Sequence, residues 1–181
     1  MWLNQTRLVL ASASPRRLDL LKQIGLAPDE TPRQLALRLA RAKATHVAAR
    51  HAEAFVLAAD TVVAVGRRVL PKAETAEEVR ACLDLLSGRA HRVLTGVAAA
   101  APDGRLVSRL VESRVHFKRL SAAEIDGYLA SGEGIGKAGG YAIQGRAGAL
   151  VMSLQGSYSG VVGLPLYESA GLLRGLGLRI P

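Results

Sequence analysis

Apolar residues recur along the chain in two alternating patterns, which predict strands that lead into helices. Residues 8–11 form a short, wholly apolar run that is typical of a buried strand. The residues that follow place Leu18, Leu21 and Ile24 at helical spacing, so a strand is expected to run directly into a helix.

This first helix is predicted to begin with two arginines. Ser14 suits the N-cap, Pro15 suits the first helical position, and Gly25 suits the residue after the last turn. Arg16 and Arg17 then add positive charge to a helix end that is already partly positive, at a cost of about 0.3–1 kcal/mol each. An anionic ligand would offset this cost.

Two hydroxyls complete a candidate phosphate site at the same place. Ser12 and Ser14, the two arginines and the free N–H groups of the first turn are together suited to bind a phosphate. The alternative is that Arg16 and Arg17 are an ordinary pair of solvent-exposed arginines.

A second helix is predicted to begin at Pro32, because Thr31 and Gln34 are spaced as a capping box. Lys43 lies at the margin of its apolar face, where the side chain either extends from the core to solvent or points into a cleft. The residues predicted to share that face are Leu35, Leu39, Ala42 and His46.

The run from Phe55 to Val65 predicts a strand that is covered on both faces, and only Asp60 and Thr61 interrupt its apolar composition. A buried carboxylate without a partner costs several kcal/mol, so Asp60 needs a cation, a metal or a hydrogen-bond donor. Lys72 is a candidate neighbour if the chain folds back at Gly66, and the alternative is that Asp60 caps a neighbouring helix. A carboxylate beside a lysine suits metal-assisted chemistry on a phosphate.

Turn and capping signals divide the rest of the chain. They predict a helix that ends at Gly88, a long hairpin that turns at residues 102–104, a short helix that ends at Gly132, and a closing helix between Pro165 and Gly175. Two more capping boxes are predicted, Thr75 with Glu78 and Ser121 with Glu124.

Glycines recur through residues 133–148, which indicates a backbone that turns repeatedly and approaches something closely. The segment is not a flexible linker, because it also carries Lys137, Tyr141 and Gln144. Its glycine spacing matches neither the Walker nor the Rossmann motif.

Composition limits the class of protein. The 181 residues are 49% hydrophobic and 22% charged, as expected for one globular domain over residues 1–181. A single cysteine, Cys82, precludes an internal disulfide and, with no signal peptide or long apolar run, predicts a cytoplasmic protein with no membrane partner. The four histidines lack metal-ligand spacing.

The formal net charge of +9 predicts an anionic ligand, either a nucleotide or a nucleic acid. A nucleic-acid-binding module would cluster its arginines and offer aromatic side chains for base stacking. Here the arginines are scattered and aromatic residues make up only 4% of the chain, which favours a nucleotide over a nucleic-acid partner.

Four motifs occur in the order LASASPRRLDLL, LAADTVV, KAGGYAIQG and GSYSGVVGLPL, and together they resemble the Maf family of nucleoside triphosphate pyrophosphatases. The resemblance runs from Leu8 to the last helix. It implies an α/β fold with a mixed sheet and two lobes around a central cleft, similar to inosine triphosphate pyrophosphatases. It also implies a homodimer that hydrolyses a nucleoside triphosphate to its monophosphate and pyrophosphate with a divalent cation, Mg²⁺ or Mn²⁺.

The resemblance further implies roles for individual residues. Asp60 would be the catalytic base and the principal protein ligand of the metal. Arg16, Thr61 and Gln144 would bear on the choice of substrate. The full set that would contact the substrate is Ser12, Arg16, Arg17, Lys43, Thr61, Lys72 and Gln144.

The sequences GYAIQG and GSYSGVVGLP resemble the subgroup of the family that acts on dTTP and UTP. The carboxamide of Gln144 offers one donor and one acceptor, which match the N3–H and O4 of a thymine or uracil base. Another nucleotide, CTP or a modified one, is the alternative substrate, and regulation of septum formation through protein partners is an alternative function.

The chain departs from the family pattern in one place. Only five residues, LAPDE, separate Gly25 from Thr31, where the family usually has a longer segment with an acidic pair. Asp29 and Glu30 are candidates for the remnant of that pair, so Glu30 is a second candidate metal ligand. The phosphates of the nucleotide would supply most of the remaining ligands to Mg²⁺.

Overall fold

A computed structural model describes residues 30–180 of the chain. Its centre is a five-stranded sheet in the order β2-β1-β3-β4-β5, and every strand pair in the described residues is antiparallel. The strands are β1 (Val56–Val65), β2 (Arg68–Val69), β3 (Ala90–Ala100), β4 (Leu106–Phe117) and β5 (Val151–Gln155). The helices are α1 (Pro32–Ala48), α2 (Ala76–Leu86), α3 (Ala122–Ser131), α4 (Tyr158–Val162) and α5 (Leu166–Gly175), with a 3₁₀ turn at Arg146–Leu150.

The hairpins that the turn residues predict are present. Gly66, with φ of 57°, lies between β1 and β2, and Gly104, with φ of 85°, lies between β3 and β4. In the long pairing of β1 with β3, Thr61 lies directly opposite Thr95. Because cross-strand partners point to the same side of a sheet, these two threonines share one face.

Helix α1 covers the opposite face of the sheet, and the stripe that it buries differs from the predicted one. The buried residues that pack on the strands are Ala36, Ala40 and Ala44, whereas Ala42 and His46 are exposed. The physical reason is the closeness of the backbones: a Cβ added at Gly96 of β3 would lie 2.4 Å from the carbonyl oxygen of Ala36. Alanines permit this approach, and leucines at the same positions would not.

The other face of the sheet carries the main core of the described chain, which includes Phe117, Leu83 and Leu86. The glycine-rich segment packs into this core. A Cβ at Gly139 would meet the Val63 side chain at 2.9 Å, and a Cβ at Gly140 would meet α2. The predicted close approach of this backbone is therefore confirmed, and the group that it approaches here is the protein's own core.

Helix capping agrees with the sequence at two helices and in part at a third. Both halves of the capping box are present at Thr31 and at Ser121. At α2, Thr75 accepts from the N–H of Glu78, but the Glu78 carboxylate accepts from the N–H of Glu74 instead of returning to Thr75. The short elements α4 and β5 are additions that the sequence patterns did not predict.

These elements confirm the predicted α/β class. The sheet of residues 30–180 is antiparallel and not mixed as predicted. The two-lobed arrangement and the single domain over residues 1–181 stay predictions. Among residues 30–180, no helix is long and apolar enough to cross a membrane.

Candidate active site

A cavity of about 340 Å³ lies beside β1 and is the candidate active site. It is bounded by the middle of β1, the segment after β2, the glycine-rich segment and α4. Five of the predicted site residues line it: Lys43, Asp60, Thr61, Lys72 and Gln144. Ser12, Arg16 and Arg17 lie outside the described residues.

Asp60 has the cationic partner that its position in an apolar strand requires. The Lys43 Nζ lies 2.5 Å from Asp60 Oδ1 and also donates to the carbonyl of Ala59 at 3.4 Å. Lys43 therefore points from α1 into the cleft, which decides between the two alternatives for this side chain. The Asp60 side chain is only 15% exposed, whereas that of Lys43 is 55% exposed.

Lys72 reaches the cavity through a backbone pairing with the glycine-rich segment. Lys72 and Ala138 form an isolated antiparallel bridge, flanked by hydrogen bonds from Gly139 N to Pro71 O and from Ala73 N to Lys137 O. This pairing brings Lys137 into the cavity wall as well. A further backbone hydrogen bond, from Gly136 N to Ala73 O at 2.6 Å, extends this pairing.

Lys137 is a candidate functional residue that sequence reasoning did not assign to the site. The signals were its place between the glycines of the dense segment and its position as the first residue of the motif KAGGYAIQG. Its contribution depends on a pairing between residues 72 and 138, which no local pattern reveals.

Thr61 faces away from Asp60, on the other side of β1. Its hydroxyl lies 2.9 Å from the hydroxyl of Thr95, and the Thr95 hydroxyl donates to the carbonyl of Gly160 in α4 at 2.7 Å. A Cβ at Gly163 would lie 3.8 Å from Thr61 Oγ1. Thr61 is thus hydrogen-bonded to β3 directly and is linked to α4 through Thr95.

Gln144 is an exposed residue on a segment that is anchored on both sides. The Tyr128 hydroxyl accepts from the N–H of Ala142 at 3.0 Å, and the Glu133 carboxylate accepts from the N–H of Arg146 at 2.7 Å. These two hydrogen bonds hold the backbone on either side of Gln144, while its exposed side chain extends from that fixed position.

An aromatic cluster supports the cavity wall at Tyr141. His91, Phe117 and Tyr141 make edge-to-face contacts with ring centroids 4.9–5.4 Å apart, and His91 Nε2 lies 2.8 Å from the Tyr141 hydroxyl. Burial lowers the pKa of His91 to about 4, so the imidazole is neutral near pH 7. Burial also raises the pKa of the Tyr141 phenol, which keeps this wall uncharged.

Among the described residues, Asp60 is the one carboxylate that lines the cavity, and its oxygens are suitable ligands for a divalent cation. This fits Mg²⁺ or Mn²⁺, since such ions often bind through one carboxylate and the phosphates of the substrate. No cluster of three or more potential metal ligands occurs within residues 30–180. Glu30 is not among the residues that line the cavity: both of its carboxylate oxygens accept from Arg38, at 2.6 and 2.8 Å, and Arg38 also interacts electrostatically with Asp60. The role of Glu30 as a metal ligand stays a prediction.

The sequence that forms this cavity also matches a known protein family. The family model described as "Maf-like protein" matches residues 7–176. The chain belongs to the Maf family.

Several curated relatives are similar to almost the whole chain. A protein of Caulobacter vibrioides is 64% identical, with 95% of this chain and 96% of the relative covered, and one of Maricaulis maris is 62% identical, with 98% and 92% covered. A protein of Rhodospirillum rubrum is 60% identical, with 95% and 89% covered. All three are named dTTP/UTP pyrophosphatase. The alignment with the Maricaulis protein spans 193 positions, more than the 181 residues of this chain, so that relative has residues that this chain lacks.

Proposed function

We propose that this Maf protein hydrolyses dTTP and UTP to the nucleoside monophosphate and pyrophosphate. The observation that carries the proposal is the joint presence of a carboxylate and three lysines in one cavity: Asp60 with Lys43, Lys72 and Lys137. Relatives with 60–64% identity that are named for this activity support the choice of substrate.

Asp60 is the base in this proposal. Its carboxylate accepts a proton from the water that attacks the α-phosphorus, and pyrophosphate leaves. Lys43 pairs with Asp60 in the substrate-free protein and so compensates the cost of partly burying this carboxylate.

Lys72 and Lys137 hold the departing pyrophosphate. Both lie on segments that pair through the backbone, so the points from which their side chains extend are set before the substrate binds. Preorganised cations of this kind stabilise charge that develops in the transition state, and no covalent intermediate is required. Ser12, Arg16 and Arg17 would add further donors to the triphosphate.

A divalent cation belongs to this proposal as a cofactor, held by Asp60 and, in the weaker assignment, by Glu30. When bound, Mg²⁺ or Mn²⁺ would supply charge neutralisation to the phosphate oxygens and lower the pKa of a coordinated water. The single carboxylate at the cavity supports this assignment.

The pyrimidine base would be read by Gln144 and Thr61. The Gln144 carboxamide pairs with N3–H and O4 of thymine or uracil, and its exposed position on the cavity wall supports this contact. The cytoplasm, the predicted compartment, suits such an enzyme, and the buried free Cys82 fits a reducing environment.

The direct test is ³¹P NMR of the purified protein with dTTP and Mg²⁺. We expect the resonances of pyrophosphate and dTMP to appear together. Absence of pyrophosphate, or release of orthophosphate in its place, would refute the proposed reaction. The matched control is Asp60→Asn under the same conditions, which should leave dTTP intact.

A further inference from the structure

Three groups in a row connect the cavity to the interior on the Thr61 side of β1. The hydroxyl of Thr61 meets the hydroxyl of Thr95 at 2.9 Å, and the hydroxyl of Thr95 meets the carbonyl oxygen of Gly160 at 2.7 Å. Thr95 is only 1% exposed, so water does not compete for its hydroxyl. Thr61 is the one member of the row that lines the cavity.

Proton counting fixes the direction of both hydrogen bonds. A carbonyl oxygen only accepts, so Thr95 must use its single hydroxyl proton to donate to Gly160. Thr95 then has only lone pairs left for Thr61, and Thr61 must donate its own proton to Thr95. The Thr61 oxygen therefore presents lone pairs, and no proton, to the cavity.

We propose that Thr95 is a positioning residue that locks Thr61 as an acceptor, so that the cavity selects a nucleobase carrying an imide N–H. This inference rests on the proposed function and deepens it. Uracil and thymine have an N3–H that Thr61 would accept as a second acceptor beside the Gln144 carbonyl, in a three-centre hydrogen bond, whereas the N3 of cytosine is itself an acceptor and would face the Thr61 lone pairs.

The lock removes an ambiguity that Gln144 leaves open. A carboxamide exchanges its donor and acceptor when it flips, so Gln144 alone can adapt to cytosine. The Thr61 hydroxyl has no equivalent freedom, because a turn of its proton toward the cavity would break the bond to buried Thr95.

The residues beside Thr61 increase the cost of placing a second acceptor opposite its hydroxyl oxygen. Val161 and Val162 of α4 line the cavity with Thr61. Two facing acceptors repel each other, and the valine side chains beside them offer no donor that could bridge them, so the mismatch weakens binding.

The test compares nucleotide binding in the wild type with that in Thr95→Val and Thr95→Ser. Calorimetry measures the Kd values of α,β-methylene UTP and α,β-methylene CTP. These analogues are not hydrolysed between the α- and β-phosphorus, because a methylene group replaces the bridging oxygen. We expect the wild type to prefer the UTP analogue by about tenfold or more, the difference of one hydrogen bond.

In Thr95→Val, Thr61 can turn its proton to the cavity. The preference for the UTP analogue should then fall by about tenfold, chiefly through tighter binding of the CTP analogue. Thr95→Ser keeps the hydroxyl and should keep the wild-type ratio. If Thr95 had a purely structural role, Thr95→Val would weaken binding of both analogues by the same factor, and that result would overturn the proposal. A ratio of the two Kd values in Thr95→Val equal to that of the wild type would overturn it as well.

A second variant keeps the test decisive if Thr95→Val does not fold. Thr61→Val leaves the bond from Thr95 to Gly160 in place and deletes only the acceptor. It should weaken binding of the UTP analogue by about tenfold and leave the CTP analogue nearly unchanged. Equal losses for both analogues would contradict the proposal.

Failure of this inference is distinguishable from failure of the proposed function. If the wild type prefers the UTP analogue but releases no pyrophosphate from UTP, the reaction is wrong and the lock stands. If the wild type releases pyrophosphate from UTP and binds both analogues equally, the reaction stands and the lock is wrong. Binding of neither analogue would overturn both.

Discussion

Asp60 and Thr61 are consecutive residues of β1, yet they reach the cavity from opposite faces of the sheet and belong to different environments. Asp60 lies on the face covered by α1, beside a lysine whose side chain is more than half exposed. Thr61 lies on the face of the main core, where its partner Thr95 is fully buried and hydrogen-bonded to α4. One strand therefore delivers a charged pair from one side and an uncharged hydrogen-bond chain from the other.

The difference teaches how one small cavity can separate two tasks. Charge on a triphosphate is large enough to be bound where solvent has access, so the lysines need not be buried. Reading the donors and acceptors of a base depends on excluding water, because an unmet polar group is costly only when water cannot satisfy it. The following changes should separate the two sides, in order of the size of the expected effect.

Asp60→Asn should cause the largest loss. The amide keeps the shape of the side chain but cannot accept the proton or hold the cation, so kcat for dTTP should fall by about 100-fold or more while nucleotide binding and folding persist. Steady-state kinetics and circular dichroism check this. The matched control is Asp126→Asn, which removes a carboxylate that pairs with Arg80 away from the cavity and should leave kcat intact. More than about a tenth of the wild-type kcat in Asp60→Asn would show that Asp60 is not the base.

The core side should respond to pH through His91. Burial lowers the pKa of His91 to about 4, from an ordinary value of 6.5, so between these two values the unfolded chain binds a proton that the folded protein does not. Stability contributed by neutral His91 is complete above about pH 6.5 and is lost as the pH falls toward 4, by a total of about 3 kcal/mol.

Urea unfolding between pH 7 and pH 4 measures this loss. His91→Phe removes the titrating group and should flatten the decline in the free energy of unfolding over this range. His46→Phe, on the exposed surface of α1, should retain the wild-type decline. Identical pH profiles for the wild type and His91→Phe would exclude His91 as the source.

Gln144→Leu sharpens the comparison on the base-reading side. The leucine keeps the approximate volume and deletes both hydrogen bonds, which should lower kcat/KM for dTTP by about 1–3 kcal/mol in transition-state stabilisation. Gln155→Leu, an exposed glutamine of β5 outside the cavity wall, is the matched control. An unchanged kcat/KM for dTTP in Gln144→Leu would remove Gln144 from base recognition.

Lys137→Met should have the smallest effect and a different character. Loss of one cation that stabilises the departing pyrophosphate should lower kcat for UTP and CTP alike by about tenfold, with no change in the preference between them, and should make kcat/KM less sensitive to salt. Lys118→Met removes a lysine that pairs with Glu124 outside the cavity and is the control. A change in the UTP-to-CTP preference in Lys137→Met would mean that Lys137 contacts the base instead of the phosphates.

Local sequence signals predicted many of the elements in the described chain but few of the contacts between them. The capping boxes at Thr31 and Ser121 and the turns at Gly66 and Gly104 depend on neighbours in sequence, and all four are confirmed. The buried stripe of α1 was predicted wrongly in part. Leu35 packs against the sheet as expected, but apolar spacing could not reveal how closely α1 approaches Gly96 of β3, which selects alanines for the buried positions.

The site itself divides in the same way. Asp60 is recognisable because a carboxylate in an apolar strand needs a partner, and the resemblance to the family supplied the roles of Lys43, Lys72 and Gln144. Lys137 and Thr95 were missed because their roles depend on pairings between residues far apart in the chain, with Lys72 and with Thr61. The residues around a threonine in a strand do not indicate which distant carbonyl will accept its hydroxyl proton.

The central claim, hydrolysis at the α-phosphorus in this cavity, is tested most directly by a single turnover experiment in ¹⁸O-labelled water. The protein is incubated with dTTP and Mg²⁺, and the products are analysed by ³¹P NMR and mass spectrometry. We predict one ¹⁸O atom in dTMP and none in pyrophosphate, because water attacks the α-phosphorus and pyrophosphate departs. Label in the pyrophosphate, or orthophosphate as the product, would contradict the account.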